Sequence, residues 1–207
     1  GNSSTQTITN GIDLSGEGGM IWTKGRTTAT DHYIADTERG INQGLFTNST
    51  AASVDHTSSA TVIAFNSDGY TLGSDSTWLV NWSGNPDYAS WTFRKAEKFF
   101  DVVTYTGNGV AGRTVAHNLG STPATIIIKC TTDTQSWVVY HTSLGATKYL
   151  TLNTTNASGT TSVTFNDTEP TDSLFSVGTA GSVNASGQTY VAYLFASDAG
   201  GFGDDGS

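Results

Sequence analysis

The chain of 207 residues has a single cysteine, Cys130, which excludes an intrachain disulfide and a cysteine-ligated zinc site. Charge is scarce as well: 13% of residues are charged, against roughly 25% in typical soluble domains. Nine Lys and Arg face 18 Asp and Glu, for a net charge of −9 and a pI near 4.6. Binding to phosphates needs clustered cations. The densest group here, Arg94, Lys95 and Lys98, is broken by Glu97, so nucleic acid and anionic membrane surfaces are disfavoured as partners. No apolar run approaches the roughly 18 residues of a membrane helix, no signal-peptide pattern opens the sequence, and coiled-coil heptads are missing. Membrane insertion is not expected.

Thr, Ser and Gly fill the space that charge leaves, with 35, 23 and 24 residues. Short runs rich in β-branched and aromatic residues, such as MIWTKG, HYIADTE, YASWTFRK, TIIIK, SWVVYHT and YVAYLF, alternate with Gly, Asn, Asp and Ser clusters. That pattern predicts strands joined by turns. Asn108-Gly109 reads as a tight hairpin turn, and RKAEKFF is the one candidate helical turn.

The sequence repeats. A shift of 105 residues lays Leu14 on Leu119, Ile21 on Ile126, Lys24 on Lys129, Gly40 on Gly145, Leu45 on Leu150 and Gly73 on Gly178. The offset then slips to about 102, where VNWSGNPDYASWTF (80–93) matches VNASGQTYVAYLF (183–195). The reading is an all-β protein of two tandem antiparallel β-sandwich units, 1–97 and 98–207, related by internal duplication. One large jelly roll is the alternative. GFGDDGS at the end falls in register with KAEKFFDV, and TITNGIDL overlays TVAHNLGS. Both suggest a module of a longer chain.

Catalytic signals are weak. His32, His56, His117 and His141 show no metal-ligand spacing, and no nucleophile, phosphate or dinucleotide motif stands in a fitting context. His117, in AHNLGSTP, reads as a turn cap, and Cys130 as a buried inert thiol. Asp167, Glu169 and Asp172 form an acidic surface loop; as paired carboxylates they are the one glycosidase-like feature. Calcium at that loop or at Asp204-Asp205 lacks the dense acidic pattern that would carry it. No cofactor is expected. The Asn-x-Ser/Thr triplets are assigned no role.

Aromatics say more. Trp91 falls on Tyr193, Phe93 on Phe195 and Tyr88 on Tyr190, which reads as core, as does Trp22 opposite Ile127. Trp78 and Trp82 lie instead in a loop longer in the first unit. If that segment is extended, Trp78, Val80 and Trp82 share one face. With Asn81 and Asp87 they form the candidate ligand site: rings stack on sugar C–H groups while amides and carboxylates take hydroxyls. Burial in a contact between units or chains is the competing reading.

The stretch from Trp91 to about Gly203, above all the Tyr-x-Ala-x-x-Phe strand and the hairpin His117 to Pro123, resembles a repeated β-domain of tailed marine and cyanobacterial bacteriophages. It occurs there in tail-fibre-like virion structural proteins. The resemblance implies a non-enzymatic virion-surface, extracellular module that attaches to host glycans. Its implied partners are other virion proteins and further copies of itself in a homo-oligomer. A tailspike polysaccharide depolymerase and a purely architectural decoration or filament subunit are the alternatives.

Overall fold

A computed structural model describes residues 1–84 and 87–197. Asp204, Asp205 and the GFGDDGS segment lie outside the described residues. The chain divides into two compact units, Gly1–Arg94 and a second that begins at Lys95. The boundary falls three residues before the predicted one because the connector belongs to the second unit: Lys95 pairs with Asp101 at 3.4 Å, and Ala96 bridges Phe100. RKAEKFF therefore forms a tight turn, with Lys98 at φ 58°, and no helix. Among the described residues no helix is long and apolar enough to cross a membrane.

Unit 1 contains β1 (Gln6–Thr9), β2 (Gly19–Gly25), β3 (His32–Asp36), β4 (Gln43–Phe46), β5 (Val54–Asp55), β6 (Val62–Asn66), β7 (Gly69–Leu72) and β8 (Tyr88–Arg94). They form two antiparallel sheets, ordered β5-β4-β3-β2-β8 and β1-β7-β6. Strand alternation sends Ile21 with Tyr33 and Ala35 into one core with Leu14, Val62, Tyr70, Leu72 and Val80. Tyr33 keeps its hydroxyl satisfied at 2.9 Å from Thr61 Oγ1, as burial of a polar tip requires.

Unit 2 contains β9 (Phe100–Thr106), β10 (Arg113–Ala116), β11 (Pro123–Cys130), β12 (Val138–His141), β13 (Lys148–Thr151), β14 (Gly159–Thr160), α1 (Ser162–Phe165), β15 (Leu174–Val177), α2 (Gly181–Asn184) and β16 (Thr189–Ala196). Its sheets are β14-β13-β12-β11-β16-β9 and β10-β15, enclosing a separate core of Ile126, Ile128, Tyr140, Phe165, Phe175, Tyr190 and Leu194 among others. Each unit thus has its own core, so the all-β, two-sandwich reading holds and the single jelly roll does not.

The pairing registers make the duplication explicit. Thr23 lies opposite Ser90 as Ile128 lies opposite Ala192, and Ile8 opposite Tyr70 as Val115 opposite Phe175. Two differences stand out. The helical turn α1, capped by the Thr161 hydroxyl and ended by Asn166 at φ 55°, matches the turn that precedes β6 in unit 1, and no described strand of unit 2 takes the place of β6. β9 adds a strand to the outer edge of β16, and no described strand does the same for β8. Asn108-Gly109 consequently closes no hairpin, because β9 and β10 lie in different sheets; it is a crossover, with Gly109 at φ 71°.

The repeated Val-Asn-x-Ser-Gly holds each unit shut. Asn81, fully buried, donates from Nδ2 to the carbonyls of Ser4 (2.6 Å) and Gly73 (2.8 Å) and accepts at Oδ1 from the Asn2 amide (3.0 Å). Asn184 donates to the carbonyls of Val110 (2.9 Å) and Gly178 (2.7 Å) and accepts from the Asn108 amide (2.9 Å). The next residue's N–H then goes to a tyrosine hydroxyl, Trp82 to Tyr88 and Ala185 to Tyr190. Replacing Asn184 by Ala strands the buried Gly178 carbonyl, at about 1–3 kcal/mol, and removes the hydrogen bonds to the Val110 carbonyl and Asn108 amide of an exposed loop, each worth about 0.5–1.5 kcal/mol. The expected loss for Asn184→Ala is about 3 kcal/mol in urea unfolding. Asn184→Asp should also destabilise, since it removes both donors.

Lys129 is completely buried on β11, its Nζ donating to the Cys130 carbonyl at 2.8 Å. Burial lowers its pKa to about 8, while Tyr33, Tyr140 and Tyr190 are raised to about 12 by burial. Between pH 8 and 10 the unfolded chain holds the Lys129 proton longer than the folded one, so stability should rise with pH. Above pH 10 the unfolded tyrosines ionise first and stability should fall. Thermal midpoints across pH 7–11 should therefore peak near pH 10, and Lys129→Met should remove the rise and keep the fall.

Candidate functional site

The loop between β7 and β8 is organised by a carboxylate that sequence inspection passed over. Asp75 is buried and accepts from the amides of Thr77 (3.1 Å), Val80 (2.6 Å) and Asn81 (2.9 Å) and from the Thr77 hydroxyl (2.7 Å). Its counterpart at the same offset is Ala180, which caps α2 without any side-chain bond. An added carboxylate and a longer loop thus separate the projecting segment of unit 1 from the short helical turn of unit 2. The signal available in the sequence was the acid at the head of the insertion, an Asx-type turn former.

On this loop Trp78 is 58% exposed and sits at φ 68°, a left-handed conformation uncommon for a bulky side chain. Its ring stacks on Trp82 with centroids 5.1 Å apart and planes at 28°. The Trp82 indole in turn lies over Gly84, where an added Cβ would meet the ring. The two rings come together, but not along an extended strand. The left-handed turn at Trp78 sends Val80 into the core.

Trp78 forms one wall of a cleft of about 190 Å³, completed by Ala29, Thr30, Asp31, Thr77 and Leu79. Asp31 accepts from Asn48 Nδ2 at 2.8 Å, and the Asn48 carbonyl oxygen accepts from the His32 amide, which fixes the rim. Thr30 Oγ1 is buried without a hydrogen-bond partner among the described residues. An aromatic wall beside a fixed carboxylate and hydroxyls suits a polyhydroxylated ligand.

Two of the four predicted ligand residues do not fit that role. Asn81 is the clasp described above, with all of its polar atoms committed to backbone. Asp87 is exposed and accepts from Thr27 Oγ1 at 3.4 Å, but it does not line the Trp78 cleft. Trp91, expected in the core, is 53% exposed. With half-buried Trp22 (centroids 6.3 Å apart) and Phe93 it lines a second, apolar recess of about 290 Å³. It lies on the outer face of edge strand β8, opposite Trp22, while Ser90 and Thr92 face the side of Thr23 and Ile21. Tyr193 on the matching face of unit 2 is covered by Trp137, whose place in unit 1 is taken by His32.

His117, His56 and Glu169 each have a structural role. His117 accepts at Nδ1 from the Leu119 amide (3.2 Å), so it does cap its turn, and burial lowers its pKa. His56 packs against Tyr33 and Phe46 and is likewise lowered by burial. In the acidic loop, Glu169 accepts from the Tyr140 hydroxyl and from the Ala146 amide at 2.7 Å, which makes it a tether of β12. Among the described residues no group of three or more His, Cys, Asp or Glu is gathered as a metal would need.

The chain belongs to the family of the domain of unknown function DUF7483, whose model matches residues 1–207. No curated protein matches it. No solved structure matches it either.

The left-handed backbone at Trp78 is an observable cost. Glycine adopts that conformation freely, whereas alanine pays about 1 kcal/mol. Because both substitutions delete the ring, Trp78→Gly should be more stable than Trp78→Ala by about 1 kcal/mol in chemical unfolding. Equal stabilities would mean that the loop does not hold this turn in solution.

Proposed function

We propose that the chain is a non-enzymatic, extracellular structural module that recognises a glycan through the Trp78 cleft of its first unit. The observation that carries this reading is the exposed Trp78 ring, held at positive φ and backed by Trp82. A solvent-facing aromatic in a costly conformation fits a ring kept for a ligand better than one left over from packing. Thr30 and Asp31 supply donor and acceptor groups in the same cleft as the Trp78 ring. The resemblance of the stretch from Trp91 to about Gly203 to phage tail-fibre-like domains supports the setting we propose: a virion surface, with host polysaccharide as the ligand and other virion proteins and further copies as neighbours.

The test is binding of the whole chain to capsule or lipopolysaccharide polysaccharides and to a glycan array. Burying an aromatic ring contributes on the order of 1.5–3 kcal/mol, and each 1.4 kcal/mol is tenfold in affinity. Trp78→Ala should therefore weaken binding about tenfold or more, and Asp87→Ala should leave it unchanged. Release of reducing ends from the polysaccharide would replace this reading with the depolymerase. Absence of binding in every format would leave the architectural role.

A further inference from the structure

The two units differ at one place in a way that packing within unit 1 does not explain. In unit 2, β9 lies along the outer edge of β16 in seven antiparallel pairs, from Thr106 opposite Thr189 to Phe100 opposite Phe195. Tyr105 of that strand turns inward. Its ring stacks on Tyr190 at 5.1 Å and meets Phe175 edge-on at 6.1 Å. Its hydroxyl donates to the Val183 carbonyl at 2.8 Å, and the Arg113 guanidinium lies over the ring at 5.7 Å.

The counterparts of those four neighbours in unit 1 are Tyr88, Tyr70, Val80 and Gln6, by the strand registers and the repeated motif. All four line a cavity of about 260 Å³. The cavity also carries Thr23, whose buried hydroxyl has no partner among the described residues. Outside it, β8 is the last strand of its sheet. Trp91 is exposed there, while its counterpart Tyr193 is 1% exposed with Val102 of β9 opposite. Unit 1 therefore has both the vacant edge and the hole for the inward ring.

We infer that unit 1 is a strand acceptor. The edge of β8 takes up, in antiparallel pairing, an extended segment with the chemistry of β9. That segment carries an aromatic residue, best a tyrosine, opposite Tyr88 to fill the cavity. It carries a β-branched residue opposite Trp91 to cover the exposed ring, on the opposite face of the strand. Main-chain hydrogen bonds supply affinity, and the cavity supplies selection. Self-pairing of β8 with a second copy fits less well: in a symmetric pairing about Trp91, the residue opposite Tyr88 is Arg94, a guanidinium where the cavity is shaped for a ring. The inference concerns assembly and is independent of the glycan reading.

The geometry also provides an intramolecular test. β9 runs on into Gly107, which packs against the backbone of Asn184 and Ala185; Gly1 packs in the same way against Asn81 and Trp82. A strand fused in front of Gly1 thus has the polarity to lie on β8. The experiment uses the whole chain and a fluorescent peptide spanning Phe99 to Asn108, followed by anisotropy and tryptophan emission. Expected are one-to-one binding with a blue shift, at least tenfold weaker binding by the peptide with Tyr105→Ala, and competition by the fused Phe100–Thr106 strand. The fusion should also raise the thermal midpoint by several degrees, and its own Tyr→Ala version should not. The proposal is overturned if the peptide does not bind and the fusion changes neither midpoint nor emission. It is equally overturned if peptide binding survives the fusion, or if the chain forms dimers that Trp91→Lys dissociates, which would make a second copy the occupant.

Discussion

A buried asparagine amide is the constraint on which each unit depends. Its side chain offers two donors and an acceptor in one plane, and in both units all three are spent on backbone: two carbonyls and one amide from two separate segments. No apolar residue could replace it, because the segments it joins are loops with no ladder to satisfy them. The repeated Val-Asn-x-Ser-Gly is thus a closing device. It fixes where the chain enters the sandwich, and the tyrosine hydroxyl that follows fixes where the last strand begins.

Around that fixed frame the two copies have diverged at their margins. In unit 2 the loop before the clasp is a helical turn, the region before β15 folds into α1, and β9 seals the edge. In unit 1 the carboxylate of Asp75 gathers the same backbone donors into a projecting loop that lifts Trp78 away from the core. Divergence therefore lies where strands end, and the inward positions keep their apolar character with few exceptions. The exceptions include Thr23, Ser90 and Thr92 in place of Ile128, Ala192 and Leu194, and the first two fall on the cavity of unit 1.

Much of this was legible in the sequence. The 105-residue offset gave the duplication, the strand class and most inward residues, because those are set by alternation and by side-chain volume. Asn81 was misread for a physical reason: an amide next to tryptophan looks like a ligand group until its backbone partners, two of them more than 70 residues away, are known. Trp91 was misread because alignment to Tyr193 carries over the residue's face but not what covers it: Tyr193 lies under Trp137, and unit 1 has His32 in that place. Asp75 was overlooked because its effect runs through backbone amides, which leave no mark in composition. Fusion of Asn108-Gly109 into a hairpin failed for a related cause: a turn dipeptide encodes a reversal, not which sheet the chain returns to.

The span of the asparagine clasp has a bearing on how the protein is made. Asn81 reaches back 77 and 79 residues to Ser4 and Asn2, and Asn184 reaches back 74 and 76 to Val110 and Asn108. Contacts of such long sequence separation slow folding, since loop closure must precede the reward. On a ribosome, the opening strand of each unit has no lock until nearly the whole repeat has emerged. Synthesis of each repeat thus ends with a single late closure, and until then its first strand is available to pair elsewhere.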